Sequence, residues 1–268
     1  MQNIYLHILI QSLIELINLV GVIIIIGYIL GVIERWSNFF MMRAFGMKGI
    51  LFTAWLGTPI HEIGHALMCF IFHHQVVKIK LLQTKSEDGT LGYVIHRFNR
   101  GSLYQMIGHF FIGIAPVFSG IGSLLLLLYL FVPDCFSAFK NYVENQTMDQ
   151  PSLSVFISAN ITLLKHLFTL ENLINPLFYL YLFLSICIAS HIALSPQDIK
   201  GAMSGLITLY IVILIGNGIA QMSHFNSRSP ISFVTQYNVY LLAFSSIAIL
   251  FSLFSLLMSY TFYLIRSS

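Results

Sequence analysis

Long apolar stretches separated by polar connectors are the feature that most restricts how this chain can fold. The first covers about residues 8–33, and at about 1.5 Å per helical residue it can cross a hydrocarbon layer of about 30 Å. Only 9% of the residues are charged, against roughly 25% in soluble domains. Because a bilayer leaves the backbone to satisfy its own hydrogen bonds, the stretches predict an all-α, polytopic membrane protein.

Six such stretches predict about six transmembrane helices in one integral membrane domain over residues 1–268, with its core at 49–220. Their approximate ranges are 8–33, 49–72, 103–132, 174–194, 199–220 and 236–264. The connector 34–48 is amphipathic, so we expect it along the membrane surface. Residues 133–172 are expected as an external loop with an interfacial or re-entrant helix near 153–170.

The residue pattern changes directly after the second stretch. Residues 76–82 alternate at period two and are rich in β-branched side chains, whereas 85–90 are polar and 91–98 again resemble a strand. This pattern predicts a small β-hairpin over 76–98. The following stretch, 103–132, is rich in small residues, which favour close packing of neighbouring membrane helices.

The second stretch also carries the most specific motif of the chain, His61-Glu62-Ile63-Gly64-His65. Positions i and i+4 share one helix face, so both imidazoles can reach one Zn²⁺ while Glu62 can take a proton from water. The alternative is a helix that turns these polar groups into the core for packing alone. Burying three ionisable side chains for structure is costly, which favours a zinc centre with Glu62 as general base.

The other histidines and the cysteines carry weaker signals. His73 and His74 are adjacent and diverge on a helix, so joint metal binding is disfavoured and an interfacial role is expected. We expect His109 to be an interior hydrogen-bonding residue rather than a ligand. The three cysteines are too far apart for a disulfide framework or a second metal site: Cys69, Cys135 and Cys187.

The charge distribution excludes one class of partner and predicts an orientation. The net charge of +3 is small and scattered, which argues against nucleic-acid binding. The loop 73–102 is net positive and 133–172 is net negative, so the positive-inside rule places the first in the cytoplasm and the second outside. We therefore expect a site that faces the cytoplasmic side of a cell membrane of bacterial type.

These residues resemble the site-2 proteases, which are zinc metalloproteases that cleave within or beside the membrane. The resemblance rests on H-E-I-G-H-A at 61–66, on the strand-rich segment after it, on A-P-V-F-S at 115–119 and on an aspartate at a later helix start. It covers roughly residues 51–206. Ala115 and Ser119 stand where the family often has glycine and asparagine.

The resemblance implies Asp198 as the third zinc ligand beside His61 and His65. Asp198 is followed by Ile199, where the family has a glycine, and His191 is the rival candidate. The sequence alone also allows Asp198 to act only as a cap of the fifth helix, where an acidic side chain is favoured. The third ligand therefore stays open between these interpretations.

The implied activity is that of a metalloendopeptidase that hydrolyses peptide bonds of membrane-tethered proteins or peptides. Its expected partners are the lipid bilayer, such a substrate and a regulatory membrane protein. The alternative is a non-enzymatic transporter or metal-binding membrane protein in which the same side chains hold a metal or proton transiently. Glu62 separates the two functions, because a transporter has no chemical need for a base beside the first ligand.

Overall fold

A computed structural model describes residues 2–84, 89–145, 153–222 and 235–267. It is predominantly helical with one small sheet, which confirms the all-α class. The helices are α1 (Gln2–Phe45), α2 (Met47–Ile71), α3 (Leu103–Phe131), α4 (Pro133–Glu144), α5 (Leu153–Leu167), α6 (Leu170–Ile174), α7 (Pro176–Ala189), α8 (Pro196–Met222) and α9 (Asn238–Ser267). The strands are β1 (Gln75–Lys80) and β2 (Tyr93–Arg97).

Within the described ranges, four helices are long and apolar enough to cross a membrane by length and composition. They are α3, α8, α9 and the Tyr5–Phe45 part of α1. The four support a membrane-embedded protein, but the predicted count of six spans is not confirmed. The second predicted span is α2, which carries the polar motif, and the fourth is α7, whose 14 residues reach only about 21 Å.

The first helix is longer than the sequence suggested. It runs without a break for 44 residues, so residues 34–45 of the expected surface connector continue the helix instead. It ends at Phe45, and the next residue, Gly46, has a φ of +64°, a conformation that favours glycine. Phe40, expected at the membrane surface, packs on Tyr260 of α9 with ring centroids 5.1 Å apart. The second half of α1 therefore belongs to the bundle.

The predicted hairpin is present. β1 and β2 pair antiparallel, with Gln75 opposite Arg97 and Lys80 opposite Tyr93, and the register shifts after Val76. Part of the predicted turn, 85–88, lies outside the described residues. All six residues of β1 are exposed, so this strand lies at the surface of the protein.

The region predicted as an external loop, 133–172, contains α4, α5 and α6 in its described parts, while 146–152 lies outside them. The apolar helix expected near 153–170 is confirmed as α5. Ala159, Leu163 and Leu167 of α5 are buried, and the helix packs on α4 and α9. The apolar face of α5 explains why this stretch packs against the bundle.

Helices α2, α3 and α8 surround the histidine motif. α2 and α3 approach closely at Gly64, where a Cβ atom would meet the Ser119 Cβ at 3.0 Å and the Ala115 carbonyl oxygen at 3.1 Å. Small residues of α3 are also buried against its neighbours, as the composition of this span predicted. The close packing brings the start of α8 to the level of the motif.

Candidate metal centre

The motif histidines lie on one face of α2, as their spacing predicted. Their Nε2 atoms are 3.2 Å apart. The carboxylate of Asp198 joins them from the first turn of α8, with Oδ1 3.0 Å from Nε2 of His65 and Oδ2 3.4 Å from Nε2 of His61. In the part of the chain that the structure describes, these three side chains are the one group of at least three potential ligands whose donor atoms all lie within 4.8 Å. We call this group the motif centre.

Backbone carbonyl groups fix the orientation of both imidazoles. Nδ1 of His61 is 2.9 Å from the carbonyl oxygen of His191, and Nδ1 of His65 is 2.7 Å from that of Ile112. Only a protonated nitrogen can donate to a carbonyl, so in the neutral imidazoles both Nε2 atoms present lone pairs. Metal-binding histidines commonly have this outer-shell support.

The donor set of the motif centre fits a metal ion. Two imidazole lone pairs and a carboxylate converge on one small volume, where a cation satisfies all three acceptors at once. Two histidines with one carboxylate are a known ligand set for hydrolytic zinc, which keeps a further position open. The convergence alone does not distinguish zinc from other metals that accept imidazole and carboxylate ligands.

Asp198 combines the two roles that the sequence left open. Its Oδ2 atom accepts a hydrogen bond from the backbone N–H of Ser195 at 2.8 Å, and its own N–H donates to the Ser195 hydroxyl at 3.2 Å. This reciprocal pair is a capping box at the start of α8. The same carboxylate therefore caps the helix and faces both motif histidines.

His191, the rival third ligand, lies beside the motif centre in a different role. Its Nε2 atom is 2.9 Å from the hydroxyl of Thr53, and its carbonyl oxygen accepts the hydrogen bond from His61. The ring is not part of the group of converging donor atoms. His191 thus supports the orientation of His61 through its backbone.

Glu62 is buried between the motif centre and the hairpin. Its side chain is 5% exposed and lies near both motif histidines and Asp198. The backbone of Gly92 passes against it, because a Cβ atom at that position would meet Oε1 of Glu62 at 2.8 Å. Only a glycine permits this approach without a shift, so the segment leading into β2 covers the carboxylate.

Two residues outside the motif hold the surroundings of the motif centre: Glu34, whose role sequence reasoning missed, and Ser119, which it identified only through the resemblance. Glu34 was expected in a surface connector, but its Oε2 atom accepts a hydrogen bond from the N–H of Ala193 at 3.1 Å. Ser119 donates from its hydroxyl to the carbonyl of Ile60 at 3.1 Å, directly before the motif. An acidic residue at the end of a long apolar run was the signal that could have identified Glu34.

Comparison with protein-family models, curated proteins and solved structures finds no match for this chain. The resemblance to site-2 proteases therefore rests on the motif and its neighbouring segments. The geometry adds that the motif histidines and the aspartate lie within reach of one ion.

Proposed function

We propose that this protein is a zinc-dependent endopeptidase that cleaves membrane-tethered proteins or peptides. The observation that carries the proposal is the convergence of His61, His65 and Asp198 beside the buried carboxylate of Glu62. These three residues would hold the metal. A bound Zn²⁺ supplies Lewis acidity, which polarises a peptide carbonyl and acidifies water.

Glu62 supplies the proton transfer that peptide hydrolysis requires. Its carboxylate accepts a proton from the attacking water and passes it to the nitrogen of the leaving amine as the C–N bond breaks. One water is consumed, and the products are a carboxylate and an amine. The position of Glu62 next to the first ligand favours this role over that of a transporter residue.

The substrate class follows from the surroundings of the site. A helical segment hides its peptide carbonyls in internal hydrogen bonds, so a membrane-tethered substrate must unwind before cleavage. The exposed strand β1 can replace the lost bonds by pairing with an extended segment. A photoreactive residue at Ile79 of β1 should then capture uncut substrate in a Glu62→Gln background, whereas one at Ile161 of α5, which is more exposed, should not.

The direct test compares membrane proteomes of cells that carry the native protein, Glu62→Gln or Glu144→Gln. The first variant keeps the shape of the side chain but cannot accept the proton, so an uncut substrate should accumulate. The second makes the same substitution at an exposed position of α4 and serves as the matched control. Normal cleavage in Glu62→Gln would refute the proposal, and altered metal or proton flux without cleavage would favour a transporter.

We also propose that the hairpin side of the bundle faces the cytoplasm of a cell membrane of bacterial type. The support is the positive charge of the loop between α2 and α3. The native cysteines are buried, so single cysteines at Asn99 and Asn145 can be labelled against a low background. An impermeant reagent should reach Asn145→Cys in intact cells and Asn99→Cys only after the cytoplasmic face is opened. The reverse pattern would invert the orientation.

A further inference from the structure

A second group of imidazoles lies where the hairpin meets the helix bundle, outside the motif centre. His74 belongs to the turn after α2, His96 to β2 and His109 to α3. Nδ1 of His74 is 3.0 Å from Nδ1 of His96. The ring centroid of His109 is 5.5 Å from that of His96 and 6.1 Å from that of His74. We call these three residues the hairpin cluster.

Hydrogen bonds define which nitrogens of the hairpin cluster carry protons. Nε2 of His74 is 2.8 Å from the carbonyl oxygen of Gln105, so Nε2 is the donor and Nδ1 presents a lone pair toward His96. Nδ1 of His109 is 2.7 Å from the hydroxyl of Ser204, which itself donates to the carbonyl of Gly201. His109 is therefore the donor in that contact, and its Nε2 atom also has a lone pair.

The surroundings keep the two closest imidazoles neutral. His74 is 5% exposed, and Phe98 stacks on its ring with centroids 4.9 Å apart. Burial lowers the pKa of His74, and burial together with the neighbouring His74 lowers the pKa of His96 to about 4. At neutral pH both rings are thus unprotonated on one nitrogen, which is the form that binds metals.

We propose that His74 and His96 bind a second divalent transition-metal ion, separate from the motif centre. The separation of their facing nitrogens, 3.0 Å, is close to the 3.2 Å between the motif histidines. A backbone carbonyl holds the opposite ring nitrogen of both motif histidines, and in the hairpin cluster it holds that of His74, which is the usual support of a metal-binding histidine. The two pairs therefore share the features that prepare imidazoles for one ion.

The ligand chemistry selects the class of ion. Imidazole nitrogen without carboxylate or thiolate suits Zn²⁺, Cu²⁺ and Ni²⁺ rather than Mg²⁺ or Ca²⁺. Water completes the coordination, and His109 is the next imidazole beside the pair. Such an ion joins the end of α2 to β2. This strand directly follows Gly92, whose backbone lies against Glu62. A metal ion bound to the hairpin cluster thus holds the segment that covers Glu62 against the bundle.

The test uses Cu²⁺ as the probe, because it leads the affinity order for nitrogen ligands and reports nitrogen coordination by electron paramagnetic resonance. Tag-free, chelator-treated protein carrying His61→Ala and His65→Ala isolates the hairpin cluster. It should bind one Cu²⁺ per chain with a two-nitrogen signature. Adding His96→Ala should lower the affinity by roughly 100-fold or more, since even outer-shell partners are worth 10–100-fold.

His73→Asn is the matched control, because His73 is an exposed neighbour and asparagine tolerates its φ of +56°. This change should leave Cu²⁺ binding unaltered. If the double alanine variant does not fold, wild-type protein with its metals removed should bind two Cu²⁺ ions and His96→Ala only one. Equal stoichiometry and affinity with and without His96 would overturn the proposal.

Discussion

The motif centre and the hairpin cluster present nearly the same pair of imidazoles in different settings. Facing nitrogens are 3.2 Å apart in the first and 3.0 Å apart in the second. Only the motif centre adds a carboxylate, from Asp198. A divalent ion would keep a net charge of +1 there and +2 in the hairpin cluster, where burying it would cost more. We therefore expect the carboxylate to make the motif centre the tighter of the two proposed metal sites.

The two groups also differ in the elements that carry them. His61 and His65 come from one helix that is packed against α3 and the turn before α8, so their geometry follows from the bundle. His74 directly precedes β1 and His96 lies opposite Val76 in β2, so their geometry follows from the pairing of the hairpin strands. The motif centre is therefore held by the helix bundle, whereas the hairpin cluster is held by the hairpin and by the contact of His74 with the carbonyl of Gln105.

The largest expected effect is on the zinc content of the purified protein, which distinguishes the two sites. Protein purified without added metal should retain about one zinc per chain, and His61→Ala with His65→Ala should lose it, because two of three protein ligands are removed. His96→Ala should keep it, since a site of two imidazoles retains metal less strongly. Elemental analysis after extensive desalting measures the zinc content of the double variant and of His96→Ala. Full zinc in the double variant would place the tight site elsewhere.

A smaller effect is expected when the motif centre loses its carboxylate and keeps only the two imidazoles, as in the hairpin cluster. Asp198→Asn removes the negative charge and should lower zinc affinity by roughly 100-fold or more, judged from the 10–100-fold worth of outer-shell groups. The side-chain oxygen of asparagine can still accept the hydrogen bond from the N–H of Ser195, so thermal stability of the metal-free protein should change little.

Competition with a chelating dye and a thermal melt measure the two consequences of Asp198→Asn separately. Unchanged zinc affinity and turnover would show that Asp198 acts only as a cap of α8. His191, whose ring lies next to Thr53, would then be the next ligand candidate. Loss of folding in Asp198→Asn would instead show that its bond to Ser195 is essential for the start of α8.

The sequence predicted those parts of the fold that depend on local patterns. Apolar runs located the long helices, alternation located β1 and β2, and the spacing of His61 and His65 predicted their shared helix face. The continuation of α1 through residues 34–45 could not be predicted in this way. An amphipathic segment suits a membrane surface as well as a bundle, and its packing on α9 decides between them.

The candidate site shows the same limit. The motif identifies its own histidines, but the carbonyls of Ile112 and His191 that orient them are backbone groups of distant segments, and every residue has one. The contact of His74 with His96 follows from the register of the hairpin, which places His96 opposite Val76 and shifts after that residue. The sequence predicted the hairpin but not this register, because the pairing is made by backbone groups that every residue has.

A substitution at Gly92 should affect the hairpin cluster more than the motif centre. Gly92→Val places side-chain atoms against Glu62 and should destabilise the docked hairpin by about 1–3 kcal/mol, as overpacking does elsewhere. Cu²⁺ affinity of the hairpin cluster should fall, while zinc affinity of the motif centre stays constant. Gly122→Val is the control, because a Cβ atom there meets nothing within 4 Å. Equal effects on both sites would contradict the distinction between a pair held by the helix bundle and a pair held by the hairpin.

The smallest expected effect is the pH dependence of the metal-free protein. The pKa of His96 falls from its ordinary 6.5 to about 4 on folding, because burial and the neighbouring His74 disfavour the charged ring. Below about pH 6.5 the unfolded chain therefore takes up a proton that the folded chain does not, and stability falls as pH drops toward 4. Above that range His96 contributes no slope.

His96→Gln should flatten this dependence, because glutamine does not titrate, and thermal melts of chelator-treated protein between pH 7.5 and 4.5 measure the change. The imidazoles of His65, His74 and His109 surround His96 and titrate in both proteins, so the difference between the two slopes isolates His96. His73→Asn, at an exposed histidine, should keep the wild-type slope. Coincident slopes for wild type and His96→Gln would mean that His96 is protonated as readily in the folded protein as in the unfolded chain. β2 would then not lie closely against His74, and the contrast between the two imidazole pairs would lose its structural basis.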